Sequence, residues 1–232
     1  STPISMKKYG YKNLIEECNL KSVKIAKDAA SGKNIAVAGS VSTYGYFLKD
    51  GLENMLPSFN EHLKILSNSG VDLIILEAMS SQSEIVEALL KCSKNINLPI
   101  WLSISCVFDK NREIYLGYDD DVKNDKPQIY ENFKESLYKF KKIHTGPILV
   151  AHSNMSVTDE AIKILKDNYN QIIGAYPNRG YFEKPKWKFI DNFQPKDYLD
   201  KAKSWKNNGA QIIGGCCGIG VEEIKAISIL KN

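Results

Sequence analysis

Apolar residues along the chain fall into two alternating rhythms. Short, nearly continuous apolar runs rich in β-branched residues occupy 34–41, 71–77, 99–105, 147–151, 171–176 and 210–214. Each has the length of a strand and lacks the alternation of a half-solvated one, which predicts strands covered on both faces. Amphipathic segments of helical period follow at 57–69, 81–93, 129–143, 158–168, 195–208 and 221–230. A further helical stretch, 11–30, precedes the first run and has no strand of its own. Local signals support several helix starts. Ser81 and Glu84 have capping-box spacing, Thr158 is followed by Asp159 and Glu160, and Gln194-Pro195 places proline at a helix entry.

Alternating strand and helix predicts a parallel sheet covered by helices. A doubly wound sheet and a (β/α)8 barrel both fit that alternation. Six βα units after an orphan helix equal an eight-unit barrel without its first strand, first helix and second strand. No linker and no shift of composition divides the 232 residues, so a single domain over 1–232 is expected. The long insertions 42–56, 107–126 and 177–194 all follow strands. In a barrel they would lie on the face where active sites are built. The second of them carries the acidic run Asp119, Asp120, Asp121.

Composition narrows the class. With 43% hydrophobic and 25% charged residues, the chain is not of the disordered type. No apolar run approaches the ~18–20 residues of a membrane-spanning helix, and residues 1–12 contain no apolar core of a secretory signal. The net charge of +4 comes from 31 basic and 27 acidic residues that are interspersed, which argues against a nucleic-acid surface. Lys184, Lys186 and Lys188 around Trp187 are the one basic and aromatic cluster. Neither GxGxxG nor GxxxxGK[ST] occurs, so those phosphate loops are excluded.

Five cysteines, an odd number, and no signal segment point to a reducing, cytoplasmic setting. Cys18, Cys92 and Cys106 read as packed thiols. Cys216 and Cys217 differ, because Gly214-Gly215-Cys216-Cys217-Gly218 directly follows the last apolar run. Glycines allow tight turns and close approach to a ligand. Two thiolates at a strand end suit a soft or borderline cation such as zinc, and a vicinal disulfide is the alternative.

The GGCCG segment resembles that of the homocysteine S-methyltransferases, a zinc-dependent family that includes betaine–homocysteine and S-methylmethionine–homocysteine methyltransferases. The resemblance continues along the chain. Val37-Ala38-Gly39-Ser40-Val41, with Tyr44-Gly45 and Asp50-Gly51, is similar to AGSVGPYG…DG. Residues 70–77 are similar to GVDLLxxET, and Trp101 to Cys106 to xxSFSC. Tyr176-Pro177-Asn178-Arg179-Gly180 is similar to YPNSG, and 209–217 to GAxxIGGCC.

The resemblance implies a (β/α)8 barrel with zinc at its C-terminal face. It also implies transfer of a methyl group from a sulfonium or betaine-type donor to the thiolate of homocysteine, giving methionine. In the family, three thiolates hold the metal: the vicinal pair and the cysteine of an NC motif. Cys216 and Cys217 match the pair. Glu77 matches the glutamate expected to hold the amino group of homocysteine, Asn154 matches the Asn of NC, and Tyr176 and Asn178 match pocket-shaping positions. Trp187 could offer an aromatic face to a cationic donor.

Two departures stand out. Met155 replaces the third cysteine, and a thioether is a poor zinc ligand beside thiolates. His152, three residues earlier, is the nearest substitute, but from that position it needs a different strand-end geometry. His62 and His144 read as surface residues. The family's first-strand segment, DGAxGT, has no counterpart, and residues 1–6 resemble the end of the second-strand segment TSTYQAS. The expected barrel is therefore incomplete on its N-terminal side, with six strands evident. Such a barrel has an exposed strand edge, and pairing with a second copy stays open. The alternative function is an altered relative that binds a small amino acid or sulfonium compound without thiol-zinc chemistry.

Overall fold

The computed structural model describes residues 2–43, 51–118, 128–183, 186–189 and 192–231. Tyr44, Gly45, Asp50, the run Asp119 to Asp121 and Lys184 lie outside the described residues. All six apolar runs form strands: β1 (Ala38–Ser42), β2 (Leu73–Met79), β3 (Ile100–Ile104), β7 (Ile148–Asn154), β8 (Ile173–Asn178) and β11 (Ala210–Ile213). They share one sheet in the order β1-β2-β3-β7-β8-β11. The registers of β1 with β2, β7 with β8 and β8 with β11 are parallel. Helices α3 (Leu52–Asn68), α4 (Ser83–Ser93), α5 (Phe133–Phe140), α6 (Met155–Asn168), α7 (Pro195–Asn207) and α8 (Val221–Ile227) alternate with these strands. This is the strand–helix repeat of a TIM-type barrel, with six parallel strands among the described residues.

Two compact units are distinguished, Ser1–Leu102 and Ser103–Asn232. In the first, α1 (Pro3–Lys8) and α2 (Ile15–Ala30) precede β1. The opening residues form a helix rather than a strand end, because the Thr2 hydroxyl caps it by accepting from the Ser5 N–H and Pro3 sits in the first turn. The Asp72 carboxylate accepts the Val37 N–H at 2.7 Å and meets Lys27 at 3.1 Å, which fixes the start of β1. The backbone bond and then Lys27 hold that carboxyl below its ordinary range.

Helix α3 starts at Leu52, five residues before the expected proline, and carries Pro57 inside it. Helix α4 starts at Ser83 after Gln82, and the Ser81 hydroxyl bonds the Thr43 hydroxyl instead of capping. Met55, Phe59, Leu63, Ile85 and Leu89 are fully buried. Each contributes about 1.5–3 kcal/mol of transfer free energy.

The second unit departs most from the sequence pattern. The insertion after β3 folds as a three-stranded antiparallel sheet of β4 (Cys106–Phe108), β5 (Ile114–Tyr118) and β6 (Gln128–Asn132). The helix expected over 129–143 therefore begins as a strand. Asn132 ends that strand and caps α5, its Oδ1 accepting from the N–H groups of Lys134 and Glu135. The insertion after β8 contains a hairpin of β9 (Tyr181–Glu183) and β10 (Lys186–Lys188). Helix α6 starts at Met155 rather than Thr158, because Asn154 supplies the cap. The entry of α7 is as expected, with Pro195 in its first turn and the Asp197 carboxylate accepting the Gln194 N–H. Trp205 and Tyr198 of α7 are buried edge-to-face, and Asp159 of α6 accepts the Trp205 Nε1–H at 2.7 Å.

Two histidines read as surface residues are buried. His144 bonds the Pro147 carbonyl through Nε2 at 3.1 Å. His62 of α3 faces Asn19 of α2, with Nε2 3.2 Å from Oδ1. His62 lies on the packed face of α3 and His144 in the connection after α5, and each finds a polar partner. Burial lowers the His62 pKa from 6.5 to about 4.

The unfolded chain therefore takes up a proton near pH 6.5 that the folded chain refuses until about pH 4. Stability is expected to fall as pH drops through that window and to level off below it. The contribution of His62 is about 2 kcal/mol between pH 7 and pH 5. Urea midpoints of the parent and His62→Gln at both pH values check this, and the variant should show a flatter dependence.

Candidate metal centre

The site is built at the ends of three adjacent strands of the second unit. Between Ala151 and Asn154 strand β7 advances three residues while β8 advances two, from Tyr176 to Asn178. One residue of β7 is thus extra, and His152 takes φ +47 within the slip. Slips of this kind re-aim a side chain that strict register would direct elsewhere. The slip is fixed by hydroxyls. Ser105 donates to the His152 carbonyl at 2.8 Å, and Ser153 donates to the Ala151 carbonyl while accepting the Cys106 N–H.

The cysteine loop follows β11 and is bonded to the end of β8. The Gly214 N–H donates to the Ala175 carbonyl, the Cys216 N–H to Pro177 and the Arg179 N–H to Cys217. Tyr198, buried in α7, donates its hydroxyl to the Gly214 carbonyl. The two flanking glycines are steric requirements. A Cβ on Gly215 would lie 2.2 Å from Ile219 Cγ2, and Gly218 has φ +82 with the Arg179 carbonyl 2.5 Å from where a Cβ would stand.

This backbone brings His152, Cys216 and Cys217 together, with one donor atom from each inside 4.8 Å of the others. All three are half-buried. The sulfurs are 3.8 Å apart and both cysteines are free thiols, so no vicinal disulfide is present. The hydrogen bond with Cys217, and then burial, push the Cys216 thiol up, while a hydrogen bond with His152 opposes them. The set offers two sulfurs and one nitrogen to a cation.

The remaining residues are distributed as follows. Trp187 of β10 stands edge-to-face on His152, ring centroids 6.0 Å apart. Asn178 of β8 is buried between Pro177 and Arg179, and its Oδ1 accepts no hydrogen bond among the described residues. Tyr176 is half-buried in β8. Asn154 is exposed, and its Oδ1 accepts the Ser156 N–H at 3.0 Å as the cap of α6. Met155 is buried in the first turn of that helix. Glu77 stands near the end of β2 in the first unit, half-buried and opposite Ser42 of β1. Ala78 beside it has φ +49.

Sequence reasoning missed Ser105, Ser153, Arg179 and Tyr198, all of which hold the site from outside it. The signal for Arg179 was present, since it replaces the serine of the YPNSG segment. The serines carried no comparable mark.

A family model for homocysteine S-methyltransferase matches residues 1–230. Homocysteine S-methyltransferase 1 of Zea mays is 28% identical over 214 residues, covering 84% of this chain and 62% of its own length. Homocysteine S-methyltransferase 3 of the same plant is 30% identical over 221 residues, covering 85% and 59%. Selenocysteine methyltransferase of Astragalus bisulcatus is 27% identical over 211 residues, covering 83% and 58%. The chain thus spans less than two thirds of the length of these curated relatives. Among solved structures, the apo form of the homocysteine methyltransferase MmuM from Escherichia coli superposes with a TM-score of 0.68 at 19% identity, over 92% of this chain and 73% of that one. Its metallated form gives 0.66 at 20% identity, over 99% and 76%. At such identities the likeness is one of fold.

Replacing the cap of α6 tests how that strand end is held. Asn154→Ala is expected to lower stability by about 1 kcal/mol, and Asn154→Asp to retain it. Thermal denaturation followed by circular dichroism measures both.

Proposed function

Because the chain belongs to the homocysteine S-methyltransferase family, we propose that it transfers a methyl group from a sulfonium or betaine-type donor to the sulfur of homocysteine, giving methionine. Zinc is the metal in this reading, held by Cys216, Cys217 and His152. The observation that carries it is the convergence of those three side chains at the ends of β7 and β11. The family match runs through both compact units without a break, which supports reading 1–232 as one barrel domain.

The donor set fits the ion. Two thiolates and an imidazole are a zinc set that leaves a position for substrate. Two sulfurs, each about 2.3 Å from a tetrahedral zinc, stand roughly 3.8 Å apart, and the observed separation is 3.8 Å. When bound, zinc supplies the positive charge that keeps a substrate thiol ionised at neutral pH, although its ordinary pKa is near 8.5.

The chain's own groups do the rest. His152 contributes a neutral nitrogen where the family resemblance implies a thiolate, so the protein donors carry one negative charge fewer. Asn178 is assigned to shaping the pocket, and its buried Oδ1 accepts no hydrogen bond among the described residues. Glu77 is the carboxylate assigned to the amino group of homocysteine. Tyr176 shapes the pocket, and Asn154, with its Oδ1 engaged as a cap, offers its amide nitrogen. Trp187 presents an aromatic surface suited to a cationic methyl donor. Transfer from a donor that already carries the leaving group's positive charge needs little proton movement. The protein's task is then to orient two substrates.

Purified under reducing conditions, the chain is expected to hold about one zinc per molecule, and Cys217→Ser to lose it. Supplied with homocysteine and S-methylmethionine, the parent should form methionine and the variant should not. A parent with neither zinc nor methionine formation would refute the proposal.

A further inference from the structure

We propose that Arg179 and Glu223 act together as a positioning pair that holds the cysteine loop in its metal-binding shape. The inference rests on reading His152, Cys216 and Cys217 as a metal site, and concerns two residues outside that donor set. Arg179 Nη1 lies 3.0 Å from Glu223 Oε1. The Glu223 side chain is 8% exposed and that of Arg179 22%, so the pair is largely removed from water. The other carboxylate oxygen of Glu223 accepts the Gly220 N–H at 2.9 Å. Arg179 also donates its backbone N–H to the Cys217 carbonyl at 2.7 Å, and its guanidinium stands 5.1 Å from the ring centroid of Phe193.

The bonds make a closed circuit. The loop leaves β11, passes Cys216 and Cys217, and ends at Gly220. Its middle is tied to the end of β8 by the Cys216 and Arg179 N–H groups. Its far end is tied to Glu223, and Glu223 is tied back to Arg179. One ion pair therefore fixes the end of the loop relative to the strand that its middle already grips. Three donors within 4.8 Å leave little tolerance for drift. Removing the guanidinium takes the ion-pair partner from a carboxylate that is only 8% exposed, which is costlier than losing a surface pair. Arg179 occupies the serine position of the YPNSG segment, so the restraint is not part of the resemblance.

The test compares Arg179→Ala, Glu223→Gln, their double variant and Arg179→Lys with the parent. Cobalt(II) affinity is read from the thiolate charge-transfer absorption. Hydrogen exchange is read at the Cys216, Ile219 and Gly220 amides. Each single variant is expected to weaken cobalt binding about tenfold and to speed exchange at those amides, with β7 amides unchanged. The double variant should be no worse than the weaker single one, and Arg179→Lys should recover part of the loss. Parent-like exchange and affinity in the single variants would overturn the proposal, as would independent, multiplying losses in the double variant. Should the parent bind no cobalt, the metal reading fails, and the exchange comparison still decides whether the pair holds the loop.

Discussion

In a parallel strand of strict register, successive side chains alternate between two faces, and the strand's last residues can serve a site only from positions of one parity. The second unit breaks that rule near the end of β7. A single extra residue near the end of β7, with His152 at φ +47, lets an imidazole join the sulfurs of the loop after β11. Positive φ in a non-glycine residue costs on the order of 1 kcal/mol, and the Ser105 and Ser153 hydroxyls supply the hydrogen bonds that hold it. The cap of α6 and the burial of Met155 both follow from where that strand ends.

The six strands were legible from their apolar runs, although β1 is not covered on both faces as expected, with Ala38 and Ser40 exposed and Gly39 and Val41 buried. What lay between them was less so. The run 107–132 mixes polar residues with Ile and Tyr and has no strong period, yet it forms three antiparallel strands whose partners are set by register with one another. Ile129 and Tyr130 fit a helical or an extended pattern equally well, and pairing with β5 decides. His62 was misplaced because polarity was weighed ahead of helical phase, and His144 because it lies beyond the end of α5, where helical phase gives no guide.

The site was legible in its sulfur half. Adjacent cysteines between glycines are rare enough to mark themselves, and the close contacts at Gly215 and Gly218 show why no other residue serves there. The nitrogen half was legible only as a need for a third donor, with His152 as the nearest group. A register slip leaves no trace in composition or period. It is stabilised by serine hydroxyls, and serines occur throughout the chain without such a duty.

The two sulfurs belong to neighbouring residues of one short loop, so they travel as a single clip, while the imidazole rides on a separate strand. Chelation of any cation there is accordingly hinged. A cation held there would be gripped by two independent pieces of chain, the sulfurs from one short loop and the nitrogen from β7. The shape of such a centre would therefore depend as much on where the strand β7 ends as on the loop that carries the sulfurs.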